Sequence, residues 1–243
     1  MNTEKELLIY GKRAVYEAVE NNIEIEKVFL QKNNSYLENI KSKLHKRNIQ
    51  ISYVPIEKLN RLTKNNHQGI VASISPISSL GINDLEKILK INDSILILIL
   101  DGITDTKNFG AIVRSAECFN VNMVIIPKTG SSSINGETIK SSSGAIFNVP
   151  ICKVDHIKDA IFLLKENEIN LVATSDKGKA SLYNYKYNSK TALVMGSEGK
   201  GVSKSVLNLC DQVVNIEMKG EISSLNVSVA TGVFLSEYRR QFH

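Results

Sequence analysis

Two hydrophobic periods alternate along the chain. Ala14, Val15, Ala18 and Val19 share a helical face, and Lys27-Val28-Phe29-Leu30 is a short strand candidate. Leu37, Ile40 and Leu44 return to helical spacing, Ile49 to Val54 alternates as a strand does, and Ile70 to Ile74 closes the unit. This pattern predicts a small α/β domain over residues 1–75. Ser75-Pro76-Ile77-Ser78-Ser79-Leu80-Gly81 then supplies turn residues, so a boundary is expected there, with a linker over 76–93.

Residues 94–243 read as a larger α/β domain. Ser94 to Leu100 has no polar alternation, the pattern of a strand covered on both faces of a parallel sheet. A helix is predicted over Phe109–Phe119, strands over Met123–Ile126, Leu171–Thr174, Ala192–Met195 and Gln212–Ile216, and further helices over His156–Glu166 and Val227–Arg240. The Ser tracts at 131–133 and 141–143 read as loops. Strands and helices alternating at these lengths imply a doubly wound parallel sheet.

Composition narrows the class. With 42% hydrophobic and 23% charged residues, the 243-residue chain can bury a core and is neither disordered nor fibrous. The net charge of +5 is uneven, since twelve Lys/Arg face eight Glu within 1–75 and nearly balance the acids elsewhere. Such an excess suits a phosphate-binding surface, though it is small enough to be an ordinary solvated face. Cys118, Cys152 and Cys210 are scattered and outside any CxxC pattern, and the four histidines form no cluster, so neither a disulfide framework nor a metal site is expected. The start of the chain lacks the order of a signal peptide, and the apolar run Ile95 to Leu100 is too short to cross a bilayer. A cytoplasmic protein without membrane partners is expected.

Three segments at predicted strand ends, where open parallel sheets bind ligands, carry unusual polar residues. In the first, Asp101 to Arg114, Asn108 stands where it could cap the following helix, and Arg114 offers a fork-shaped donor for phosphate. The second, Leu193 to Ser203, sets Glu198 among glycines; it matches neither GxxxxGK[ST] nor GxGxxG, and a tight turn would explain the glycines but not the carboxylate. In the third, Ile216 to Ala230, Ser224-Leu225-Asn226 enters a helix, where capping by Ser224 is a sufficient local explanation.

Taken together and in order, Asn108-(x5)-Arg114, Met195-Gly196-Ser197-Glu198-Gly199 and Ser224-Leu225-Asn226-Val227-Ser228-Val229-Ala230 resemble the three motifs of the SpoU, or TrmH, family of RNA 2′-O-ribose methyltransferases, across residues 94–240. Leu8-Ile9-Tyr10-Gly11 and His67-Gln68-Gly69-Ile70 resemble signatures of its RlmB branch, which methylates a guanosine of 23S ribosomal RNA. The resemblance implies a SPOUT-type trefoil-knotted catalytic domain over 94–243, a small RNA-binding domain before it, a homodimer, and S-adenosyl-L-methionine as methyl donor. It implies Asn108, Arg114, Glu198, Ser224 and Asn226 as catalytic residues, with Gly196, Ile216 and Leu225 holding the cofactor. A guanidinium stays protonated at neutral pH, so Arg114 is expected to anchor phosphate or stabilise a developing alkoxide as readily as to take a proton. His67 reads as a hydrogen-bonded turn residue and stands outside the catalytic set. Two alternatives remain open: a transfer-RNA methyltransferase of the same superfamily, and an RNA-binding assembly factor without catalysis. A nucleotide-dependent oxidoreductase lacks its glycine fingerprint.

Overall fold

The computed structural model describes residues 6–91 and 94–242; the outer ends of the two expected domains, 1–5 and 243, and the last two linker positions, 92–93, lie outside the described residues. Its elements in chain order are β1 (Leu7–Tyr10), α1 (Lys12–Glu20), β2 (Ile25–Gln31), α2 (Glu38–Lys46), β3 (Ile51–Val54), α3 (Ile56–Leu62) and β4 (Ile70–Ile74), then α4 (Ile82–Ile91), β5 (Ile95–Asp101), α5 (Thr106–Cys118), β6 (Met123–Pro127), α6 (Gly136–Ser141) and β7 (Ile151–Val154). The C-terminal run is α7 (Ile157–Glu166), β8 (Asn170–Thr174), β9 (Ala180–Ser181), β10 (Lys190–Gly196), α8 (Lys204–Leu207), β11 (Gln212–Asn215) and α9 (Val227–Gln241).

The chain forms two compact units. The first joins the residues up to Ser78 with Ile134–Asn148, and the second joins Ser79–Ser133 with the chain from Val149 onward. In the first unit the sheet order is β1-β4-β2-β3, with β4 antiparallel to β1 and β2, and β3 parallel to β2. Helix α6 packs on β1: a Cβ added at Gly136 would lie 2.3 Å from the Leu8 carbonyl oxygen, so only glycine permits this approach. Asn135 starts that helix by accepting from the backbone N–H of Glu137 and Thr138, both at 3.0 Å. Of the Ser tract at 141–143, expected to be loop, Ser141 is therefore the last residue of a helix that the sequence pattern did not predict.

In the second unit a seven-stranded parallel sheet runs β7-β6-β5-β10-β8-β11-β9. Strand β10 lies between β5 and β8, and β11 lies between β8 and β9. Side chains 95–100 of β5 are all buried. Alternate residues point to opposite faces, and Ile95, Ile97 and Ile99 join Leu85 and Leu89 of α4 and Ile157, Ile161 and Leu164 of α7 in one core cluster. Each such side chain contributes about 1.5–3 kcal/mol through burial. The expected linker thus contributes α4 to the core, and Leu80 bridges to Cys152 beside β7.

Helices α5 and α9 pack against each other. Near their C-terminal ends, Arg239 donates from Nε to the Phe119 carbonyl at 2.6 Å and from a terminal nitrogen to the Asn120 carbonyl at 2.7 Å. Those carbonyls end α5 and would otherwise lack intrahelical partners. At the other end Asn226 reaches Asn108, so the two helices run side by side in one direction and deliver both N-termini to one place.

Candidate active site

Strands β5 and β10 are paired so that Asp101 lies opposite Gly196, and the first two motif loops leave the sheet side by side. Asp101 holds them together, its Oδ2 accepting from the Ser203 backbone N–H at 2.8 Å. Gly196 is fixed by packing within its own turn, because an added Cβ would stand 2.0 Å from the Gly201 carbonyl carbon. The turn closes through Gly201 N–H donating to the Ser197 carbonyl at 2.9 Å, with Gly199 and Gly201 at positive φ. This geometry presents Glu198 at the tip, exposed to solvent.

Helix α5 is capped by Asp105, not by Asn108: the Asp105 carboxylate accepts from the Asn108 backbone N–H at 2.7 Å. The Asn108 side chain is left free and donates from Nδ2 to Glu198 Oε1 at 3.1 Å. Similarly, α9 is capped by Asn226 and not by Ser224. Asn226 Oδ1 accepts from the Ser228 backbone N–H at 2.9 Å, while its Nδ2 donates to Asn108 Oδ1 at 3.0 Å and to Glu198 Oε1. Three residues from three separated segments, the first turn of α5, the turn after β10 and the cap of α9, thus form one network, in which a single carboxylate oxygen receives two amide donors.

The remaining predicted residues lie outside that network. Arg114 is exposed on α5, six residues beyond Asn108, and its side chain makes no hydrogen bond or ion pair among the described residues. Ser224 is exposed, Ile216 is partly buried, and Leu225 is 39% exposed. Among the described residues, no backbone–backbone hydrogen bond involves 216–225, so this loop offers free N–H and C=O groups between β11 and α9. Such a donor and acceptor set, beside apolar Ile216 and Leu225, fits the edges of an adenosine. Asp101 and Asp105 carry structural roles that sequence reasoning did not assign; an Asp at a strand end, and an Asp three residues before a candidate cap, were the available signals. A cavity of about 390 Å³ lined by Leu80, Lys128, Lys153, Asp155 and Asp159 among others contains none of the predicted site residues.

Comparison with known proteins places this geometry. The SpoU rRNA Methylase family matches residues 95–236, and the model for RNA 2′-O ribose methyltransferase substrate binding matches residues 8–80. The 23S rRNA (guanosine-2′-O-)-methyltransferase RlmB of Salmonella typhi and that of Escherichia coli (strain K12) are each 41% identical over 175 residues, covering 72% of this chain and 72% of the relative. Among solved structures, the SpoU methyltransferase AviRb from Streptomyces viridochromogenes, in complex with the cofactor AdoMet, superposes with a TM-score of 0.82 at 23% identity, covering 98% of this chain and 90% of that one. The A. aeolicus TrmH/SpoU tRNA modifying enzyme reaches 0.55 at 31% identity, over 66% and 81% of the respective chains. The chain belongs to the SpoU rRNA methylase family.

Proposed function

We propose that this protein transfers the methyl group of S-adenosyl-L-methionine to the ribose 2′-hydroxyl of a guanosine in 23S ribosomal RNA. The observation that carries the reading is the Asn108–Glu198–Asn226 network beyond the carboxyl ends of β5 and β10, in a family member 41% identical to the RlmB relatives.

When bound, the cofactor supplies a methyl group on a sulfonium, whose departure leaves a neutral thioether. The chain's own residues position and polarise. We assign Gly196, through its backbone, with Ile216, Leu225 and the unpaired backbone of 216–225, to hold the cofactor. Glu198 is held by two amides through one oxygen; the other is left to accept from the ribose hydroxyl, orient its lone pair and take up, directly or through water, the proton released as the new O–CH3 bond forms. Arg114, an exposed guanidinium with no carboxylate partner among the described residues, is assigned to the RNA phosphate and to the developing negative charge on the attacking oxygen. Ser224 stands beside the cofactor loop as a further hydroxyl donor. Holding two reactants in one geometry supplies much of the rate in such a transfer.

Three further features belong to the same reading. The insertion of β10 and β11 between other strands supports a trefoil knot in the C-terminal part. Homodimerisation is supported by Ile222, Leu225 and Val229, of which Ile222 is 79% and Val229 52% exposed. A cytoplasmic location follows from the proposed substrate; among the described residues no helix is long and apolar enough to cross a membrane, and all three cysteines are free.

The test is incubation with labelled S-adenosylmethionine and unmodified 23S rRNA or total transfer RNA, followed by nucleoside mass spectrometry. The expected product is 2′-O-methylguanosine in the ribosomal RNA. A product confined to transfer RNA would replace the substrate, and no product in either RNA would overturn the assignment. Arg114→Ala is expected to abolish transfer while cofactor binding persists.

A further inference from the structure

The two N-terminal segments singled out in the sequence, 8–11 and 67–70, take no part in the chemistry above, yet they meet at one end of the four-stranded sheet. Gly11 N–H donates to the Ile70 carbonyl at 3.3 Å, Lys12 N–H to Gln68 Oε1 at 3.0 Å, and Asn65 Nδ2 to the Tyr10 hydroxyl at 2.7 Å. Gly69 N–H donates to His67 Nδ1 at 3.0 Å, and His67 Nε2 lies 2.9 Å from Asn60 Oδ1. Gly11 and Gly69 have positive φ, which glycine adopts without steric cost, and Gln68 shares that sign of φ as a non-glycine residue. The parallel strands β1, β2 and β3 end here, the side on which open α/β sheets bind ligands.

Charge at this end is lopsided. Helix α6 brings Lys140 against Gly11, where its Cε lies 3.6 Å from the position a Cβ would take. The ammonium stands 5.3 Å from the centroid of the Tyr10 ring and donates to the Asn66 carbonyl. Burial lowers its proton affinity, and it forms no ion pair among the described residues. Lys12 is exposed and donates to the Tyr36 carbonyl, while Tyr36 itself is 83% exposed. The opposing carboxylates are Glu137, whose field reaches Tyr10, and Glu17, which is engaged with Arg13 at 2.5 Å. A partly desolvated ammonium facing only a carbonyl and a ring costs free energy that a bound anion would offset.

We propose that this end of the first unit's sheet binds the backbone of the RNA substrate, with Lys12 and Lys140 each taking a phosphodiester and Tyr36 stacking an unpaired base. This rests on the reading of the protein as an RNA methyltransferase and adds to it a substrate residue, Lys140, that the substrate-binding match over 8–80 does not include. Lysine neutralisation of phosphate and base stacking on an exposed ring are the two components of single-strand recognition.

The test is filter binding of a full-length 23S rRNA transcript between about 50 and 300 mM KCl. Lys140→Met and Lys12→Met are each expected to weaken binding about threefold to tenfold and to flatten the plot of log affinity against log salt by roughly one unit. Lys140→Arg should restore both, and Tyr36→Ala should weaken binding about fivefold or more with little change in slope. Lys12→Met, altered on an exposed side chain, carries the same test should the Lys140 variant fold poorly. Wild-type affinity and slope in both methionine variants would overturn the site. A wild-type protein that binds RNA through these lysines yet methylates none would support the site and overturn the enzymatic reading, so the two failures are distinct.

Discussion

Asn226 performs two tasks through opposite ends of one amide, and this allows its structural and functional roles to be separated. Its Oδ1 caps α9, and its Nδ2 joins Glu198 to Asn108. Asn226→Ser keeps a good capping oxygen and loses the donor, whereas Asn226→Ala loses both. Loss of a cap costs about 1 kcal/mol, and the two exposed side-chain hydrogen bonds, in competition with water, add roughly 0.5 kcal/mol together. The alanine variant should therefore melt about 3–6 °C lower and the serine variant about 1–2 °C lower, at 2–4 °C per kcal/mol for a chain of this size. Methyl transfer should instead fall alike in both, by roughly 10- to 100-fold, which is about 1.4–2.7 kcal/mol of lost positioning. Thermal denaturation and steady-state methyl transfer on the same preparations decide the matter. If activity tracked melting temperature, with the serine variant close to wild type, Asn226 would be a helix cap and nothing more.

Two further expectations follow from burial. Cys152 and Cys210 are held as thiols, their pKa values pushed up to about 11 and about 12, with burial the main cause, while Cys118 is exposed. Titration with a thiol-reactive disulfide at pH 8 should thus show one fast-reacting cysteine in the native protein and three after denaturation; rapid reaction of all three would contradict the described packing. Burial, with the charge of Lys140, lowers the pKa of His67 from its ordinary 6.5, and its Nδ1 must stay unprotonated to accept from Gly69. The unfolded chain therefore binds the proton more readily, so this contribution to stability is fully present above pH 6.5 and declines as pH falls towards the lowered native value. Urea midpoints at pH 7.5 and 5.5 should diverge more for the wild type than for His67→Gln, and equal divergence would remove His67 as the cause.

What the sequence conveyed depended on the range of the interaction. The unbroken apolar run of β5 was visible because burial on both faces leaves no room for polar alternation. Helix α9 was visible from its apolar spacing, but its cap was not: Ser224 and Asn226 have similar capping preferences, as do Asp105 and Asn108, and only tertiary contact with Glu198 decides which side chain is left free. Helix α6 was missed because its six residues include a glycine, a threonine and a serine, and it is stabilised by packing on β1, more than a hundred residues away in the chain. Strand β7 was missed because four residues after a proline are too short to show a period. The contacts joining Asn108 to Glu198 and Asn226 span 90 and 118 residues. No local pattern reports a contact at such range, and family resemblance alone suggested that these residues belong together.

The interleaved strand order also governs when the molecule can become itself during synthesis. β5 and β8 leave the ribosome early but share no hydrogen-bonded edge until β10 arrives to lie between them, and β8 and β9 wait in the same way for β11. The first unit is delayed as well, since its sheet is complete by Ile74 while α6 follows only at Gly136. Early strands must therefore remain open to late insertion, with their edges exposed and the loop-closure entropy of distant pairings still to be overcome. Slow maturation and a need for protection of nascent chains are built into this order of assembly.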